Sequence, residues 1–278
     1  MDATLARAYI GSLPDLPPDG RSLERVRFCL ATLQSPDVRY LVATVAGPDA
    51  PGIARVAAAV LRAAGAPTGI LGASLAQTTV DGEPIDDGLL ARAGTLAAAA
   101  GYQLADAGTD RGELSRREGS AILGLTAFAE ASLRVALLLD AAVDPHDPAH
   151  GPRPDLVVIG SVDGATALRA LSLVPEGRPV VLAPLAADAR PAVEERVAAL
   201  GIPALLGDRD HRVDERDGAL VFSVRGEPYV TFAPVPHVAR AVLATGIASA
   251  LALGVLGIRM REEWVTRGVA SLRAEAIA

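Results

Sequence analysis

The segment from Val42 to Arg55 has the frame of a phosphate-binding loop: an apolar strand, a turn bearing Gly47 and Gly52, and a helical run behind it. Such a loop works through a lysine ammonium on the terminal phosphates and a Ser or Thr hydroxyl on magnesium. Pro51 and Ile53 stand where those two belong. Pro48 and Pro51 also remove two backbone N–H donors from any anion-holding turn. Asp49 brings a negative charge to the helix start, where free N–H groups favour an anion. Gly47, Asp49 and Gly52 are therefore the candidate remnant of a phosphate site, with Asp49 expected to cap the helix in place of a phosphate.

Other residue types suited to chemistry are scattered. Asp144, His146, Asp147 and His150 have metal-ligand character at close spacing, but the surrounding prolines favour a stiff, solvated loop. Glu118, Asp140 and Asp163 are candidates to gather at the C-terminal ends of strands, the usual ligand crevice of open α/β sheets. His211 lies in the charged run from Asp208 to Arg212 and is expected to be exposed, and His237 is expected at a helix start. Cys29 lies on a helical segment and reads as a small buried hydrophobe. No Ser-His-Asp spacing, G-x-S-x-G elbow or Cys-His pair is visible.

Composition narrows the classes. All 26 basic residues of the 278 are arginine, and asparagine is absent as well. A GC-rich genome erodes both of the missing types, yet selection on an active site normally preserves a catalytic lysine. Net charge is −7 with no basic face, which argues against nucleic-acid binding. Aromatics are only 3%, so the core must be Ala, Val, Leu and Ile. A lone cysteine makes no internal disulfide, and the N-terminus has no basic segment leading into an apolar run. The most apolar stretch, residues 239–258, carries Arg240, Thr245, Ser249 and three glycines, and reads as a core helix rather than a membrane span. A cytoplasmic location, away from membranes, is expected.

The elements that must position these residues follow from periodicity. Helices are predicted over 22–33 (Ser22 as N-cap), 52–64, 86–100 (stopped by Gly101), 118–133, 164–173, 188–200, 236–256 and 261–273. Strands are predicted over 38–46, 68–75, 134–140, 155–160, 178–183 and 203–206, with a short hairpin or loop around Asp81-Gly82 and residues 102–116 irregular. Residues 219–224 and 228–232 alternate as a β-hairpin across Arg225-Gly226-Glu227. The predicted class is α/β, a mostly parallel central sheet with helices on both faces and a small antiparallel hairpin at one edge.

Several phrases, in order along nearly the whole chain, resemble folylpolyglutamate synthase and, more broadly, the central ATP-binding domain of Mur-type amide ligases. Ser22 to Pro36 is similar to that family's first helix and its LGSP turn. Val45-Ala46-Gly47 followed by Val60 to Gly65 resembles its HVAGTNGKGS…ILRAAG segment. Asp81 to Asp87 is similar to NGEPI, and Phe128-Ala129-Glu130 ahead of Val135 resembles the FAE…VDVAVLE step. Glu176 to Val181 is similar to KPGVPVV, Gly207 to Asp210 to GRDF, and Pro236-His237 to GPHQVENA.

The resemblance implies a P-loop-type ligase fold and, residue by residue, the loss of its chemistry. The loop lysine and serine become Pro51 and Ile53, and the magnesium-holding glutamate becomes Leu139, with Asp140 one step off. The GLGGRLDATN loop gives way to the unrelated residues 141–150, and the LDHT histidine falls at or near Ala165. The carbamylated lysine matches Ala170 and the adenine-contacting asparagine matches Ala241. The chain stops at Ala278, where the family would begin its C-terminal domain, so one central domain over 1–278 is expected. The expected function is that of a non-catalytic, scaffolding relative without cofactor or metal, partnered by itself or by an active ligase. One alternative is an ATP-dependent glutamate ligase that clamps phosphate with Arg55 or Arg62 and borrows the missing domain from another chain. The other is a small-molecule binding protein using the old substrate cleft.

Overall fold

Near-continuous apolar runs such as Leu41–Ala46 and Leu156–Ile159 suit strands buried on both faces of a parallel sheet. The computed structural model, which describes residues 1–108 and 112–275, bears this out. The elements are α1 (Ala3–Ser12), α2 (Ser22–Thr32), β1 (Leu41–Ala46), α3 (Ala50–Ala63), β2 (Thr68–Leu71), β3 (Thr79–Val80), β4 (Glu83–Pro84), α4 (Asp87–Asp106) and α5 (Arg116–Glu130). There follow β5 (Val135–Asp140), β6 (Leu156–Ile159), α6 (Gly164–Leu171), β7 (Val180–Leu182), α7 (Arg190–Leu200), β8 (Ala204–Leu206), β9 (His211–Arg216), β10 (Ala219–Val224), β11 (Glu227–Phe232), α8 (Arg240–Val255) and α9 (Glu262–Glu275). The class is α/β, with eight mostly parallel strands and a separate three-stranded antiparallel sheet.

The chain divides into two compact units. The first comprises Met1–Val42, Pro67–Leu138 and Asp144–Arg153; the second comprises Ala43–Ala66, Leu139–Val143 and Pro154–Ala278.

In the first unit the strand run is β4-β3-β2-β5, with β2 and β5 parallel and the β3–β4 hairpin turning at Asp81-Gly82 as expected. Helices α1, α2, α4 and α5 share one core with Leu71, Ala136 and Leu138 from the strands. Ser115 and Glu118 form a capping box at the start of α5. The Glu118 carboxylate also receives Arg25 Nε and Nη2 at 2.7–3.2 Å, a buried ion pair that ties α2 to α5.

In the second unit the run is β1-β6-β7-β8, all parallel. Val157, Ile159, Val180 and Leu182 face α6 and α7, while α8 packs on β6 and β7 from the side where the alternate residues point. Helices α8 and α9 both lie on α3, and α8 also touches β9. The Ala/Leu/Val-rich α8 is therefore a core element, buried from Leu243 through Ala250.

Several boundaries differ from the sequence reading. Arg21, not Ser22, is the N-cap of α2; the Ser22 hydroxyl instead accepts Asp19 N–H at 2.9 Å. Helix α4 runs through Gly101 to Asp106, because a Cβ at 101 would lie 2.3 Å from Tyr9 Oη: the glycine serves close packing, not a stop. Part of the irregular segment expected over 102–116 lies outside the described residues, at 109–111. The first turn before β1, Pro36–Arg39, is a 3-10 helix rather than strand, and α5 ends at Glu130 rather than Leu133. The hairpin of β10 and β11 is present, but β9 pairs antiparallel with β10 to make a third strand. Helix α1 was not anticipated at all.

Candidate functional site

The turn singled out from the sequence, Gly47 to Gly52, lies in the second unit, between β1 and α3. Its frame is set by backbone bonds. Gly47 N–H donates to Asp140 O at 2.9 Å, and Gly160 N–H donates to Ala46 O at 2.8 Å. Gly47 takes φ of +112°, which a residue with a Cβ rarely adopts. Pro51 falls in the first turn of α3, where a missing N–H costs nothing.

Asp49 occupies the N-cap position of α3, but its side chain makes no capping bond. This corrects the expectation from sequence. The carboxylate reaches across the turn to the end of β6, where Ser161 N–H donates to Oδ1 at 3.0 Å and Oδ2 at 3.1 Å. Gly160 makes this possible: a Cβ there would lie 1.9 Å from Asp49 Oδ1. The helix end thus holds an internal anion, bonded to a backbone donor just past the end of β6. Gly52 has a different duty, since a Cβ would come 3.1 Å from Val242 Cγ1 where α8 crosses α3.

The sequence reasoning missed Gly160 and Ser161. The available signal was a glycine directly after the apolar run of β6, which often marks a close backbone approach.

The remaining candidates do not assemble a catalytic set. Asp163 caps α6, accepting Thr166 N–H at 2.8 Å and its hydroxyl at 2.9 Å, and these bonds hold its carboxyl below the usual range. Asp140 is buried at the end of β5, and Glu118 is committed to Arg25 and the α5 cap. Among the described residues no group of three or more His, Cys, Asp or Glu is arranged to hold a metal ion. Arg55 is exposed on α3, and Arg62 sits at the opposite end of that helix, about 18 Å along the axis from its start at ~1.5 Å per residue.

The 144–150 loop is not the solvated segment expected. Asp147 is 8% exposed, caps the short turn Pro148–His150 and pairs with Arg117 at 2.8 Å. A carboxylate between a cap and a guanidinium is a structural latch. His211 is also corrected: it is 1% exposed in β9, with Nε2 3.0 Å from Leu182 O. Pairing of β9 with β10 carries it inward, and burial pushes its pKa down. His237 precedes α8 by three positions, at φ +65°, and is exposed. Cys29 is fully buried as expected, and burial, with the nearby Glu118 charge, pushes its thiol up to about 12.

No protein-family model matches the chain, and no curated protein matches it in sequence. Solved structures do. The apo form of L. casei FPGS superposes with a TM-score of 0.83 at 22% identity, covering 98% of this chain and 72% of that one. An FPGS–AMPPCP–folate complex gives 0.82 at 22%, with the same coverage. Mycobacterium tuberculosis folylpolyglutamate synthase complexed with ADP and AMPPCP gives 0.73 at 17%, covering 97% of this chain and 65% of that one.

The fold is that of folylpolyglutamate synthase. Among the positions singled out from the sequence resemblance, Ile53 is fully buried in the core, and Ala170 is buried on the inner face of α6 with Ala167 and Leu171. Leu139 is partly buried near the end of β5, Ala165 is exposed on α6, and Ala241 lies in the first turn of α8.

Proposed function

We propose that this protein is a non-catalytic relative of the folylpolyglutamate synthases and Mur-type ligases, keeping their fold without their ATP chemistry. The observation that carries the proposal is the Asp49 carboxylate bonded to Ser161 N–H across the phosphate turn. Forming an acyl phosphate moves a γ-phosphoryl group, and its charge must be met by cations and N–H donors already in place. This turn offers a fixed anion, two prolines and a buried isoleucine instead. A triphosphate entering it would meet like charge at close range.

Such a protein serves as a cytoplasmic binding or scaffolding partner, either of its own copies or of an active ligase. No helix among the described residues is long and apolar enough to cross a membrane, which is compatible with that role.

The test uses the ligands named for the solved synthases. The melting temperature of the purified protein is followed with AMPPCP and magnesium from micromolar to millimolar, alongside ATP hydrolysis and glutamate ligation to folate. Ligand at about 100 times Kd stabilises by ~2.7 kcal/mol, a shift readily seen in a chain of this size. A flat response and no turnover are expected. A saturable, magnesium-dependent rise, or turnover lost in Gly47→Val, would overturn the proposal.

A further inference from the structure

We propose that the first unit carries a binding site for a small amphipathic carboxylate, built wholly from residues of that unit and argued independently of the ligase reading. Helices α1, α4 and α5 and the end of β4 enclose a cleft of about 400 Å³. That falls within the range of small-molecule sites, ~300–1,000 Å³. Ile10, Ile85 and Leu90 give it an apolar wall, and three polar side chains converge on it: Arg7 from α1, Arg116 from the first residue of α5, and Ser120 one turn further along α5.

Ser120 also lines the cleft; the residue is only 3% exposed, and its hydroxyl is open to the cleft rather than sealed in the core. The Thr126 hydroxyl on the same helix is taken up by Ile122 O at 2.7 Å. The Ser120 hydroxyl can donate to or accept from a polar atom that enters the cleft.

The two guanidiniums set the charge of that ligand. Arg7 Nη2 bonds Asp87 Oδ1 at 2.7 Å, and Arg116 Nη2 reaches the Gly11 and Leu13 carbonyls at 3.4 Å, with Asp15 3.7 Å from Nη1. Each guanidinium has five N–H donors, so these contacts leave donors free to take a carboxylate. Arg7 and Arg116 are 54% and 46% exposed in their side chains, placing the charge at the mouth and the apolar wall within. An apolar body with one carboxylate matches this layout: the carboxylate forks onto arginine, the body lies on Ile10, Ile85 and Leu90, and Ser120 meets a polar atom or the π-edge of the body.

The test is isothermal titration of the full chain with benzoate, 2-naphthoate and decanoate, and with 2-naphthylmethanol as the uncharged counterpart. At least one carboxylate is expected to bind saturably at one per chain, and 2-naphthylmethanol about tenfold more weakly or not at all. Arg7→Gln and Arg116→Gln should each weaken binding by about tenfold, and Ser120→Leu, which fills the cleft, should abolish it. Arg7 lies on the surface, so Arg7→Gln keeps the test sound if a buried variant fails to fold; unchanged melting curves verify each variant. No saturable binding by any of the three carboxylates would overturn the proposal. So would equal binding of 2-naphthylmethanol, or binding indifferent to Arg7→Gln and Ser120→Leu. Turnover in the nucleotide experiments leaves this site untouched, so the two proposals fail separately.

Discussion

The Asp49 contact can be weighed by a double-mutant cycle with Gly160. Both Asp49 oxygens accept the Ser161 N–H, at 3.0 and 3.1 Å. A hydrogen bond to a charged group contributes about 1.5–3 kcal/mol when well shielded, and the open setting of this one argues for the lower end, ~1 kcal/mol. Asp49→Ala also gives up a favourable N-cap residue type, for a total of about 1–2 kcal/mol. Gly160→Ala places a Cβ 1.9 Å from Oδ1 and 3.1 Å from Ala46 O. The carboxylate must swing away, so the same bond is lost, and the tight approach to Ala46 O adds to a cost of about 1.5–3 kcal/mol. In the double variant the bond can be lost only once. The costs should fall short of additivity by ~1 kcal/mol, measured as urea midpoints at unchanged m. Additivity within ~0.3 kcal/mol would refute the placement of the carboxylate over Gly160, and with it the observation on which the functional proposal stands.

Three further outcomes follow from the buried groups. Glu118→Gln takes from Arg25 its buried counter-ion and leaves it only the more exposed Asp19, 2.9 Å from Nη2, and should cost about 3 kcal/mol in a thermal or urea melt; a loss under ~1 kcal/mol would show that the pair is not desolvated as described. His211 has its folded pKa depressed by burial, so the unfolded chain binds the extra proton as pH drops below about 6.5. Its contribution is fully present above that pH and is lost toward the folded pKa, with a slope of at most ~1.4 kcal/mol per pH unit. His211→Gln, which can still donate toward Leu182 O, should flatten that part of the stability–pH curve; an unchanged slope would count against a buried neutral imidazole. Cys29, buried with its thiol raised to about 12, should react with an aromatic disulfide reagent only as fast as the chain unfolds, and rapid labelling in native buffer would contradict its burial.

The N-terminus of a helix favours an anion of any origin. At α3 the anion belongs to the chain, and its partner is a backbone N–H just past the end of β6 rather than one from the helix itself. Gly160 leaves the room that admits the side chain.

Much was legible in the sequence because it is local. Apolar runs one strand long and turns at Asp81-Gly82 and Arg225-Gly226 are readable in a window of a few residues, and they determined the α/β class. Helix α1 has a local signature, Asp2 capping it ahead of Ala3, Ala6 and Ile10, whereas strand β9 has none. The β9 run His211–Arg216 is mostly charged, and it is a strand only because β10 lies beside it; the same pairing buries His211, which its neighbours in sequence marked as exposed. Likewise the type and position of Asp49 were plain, but its hydrogen-bond donor is 112 residues away in sequence. The carboxylate chose Ser161 over the cap because strand packing brought that N–H, with Gly160 beside it, within reach. The cleft at Ser120 has the same origin: three helices and a strand end from distant parts of the chain decide what surrounds that residue, and no pattern along α5 contains that information.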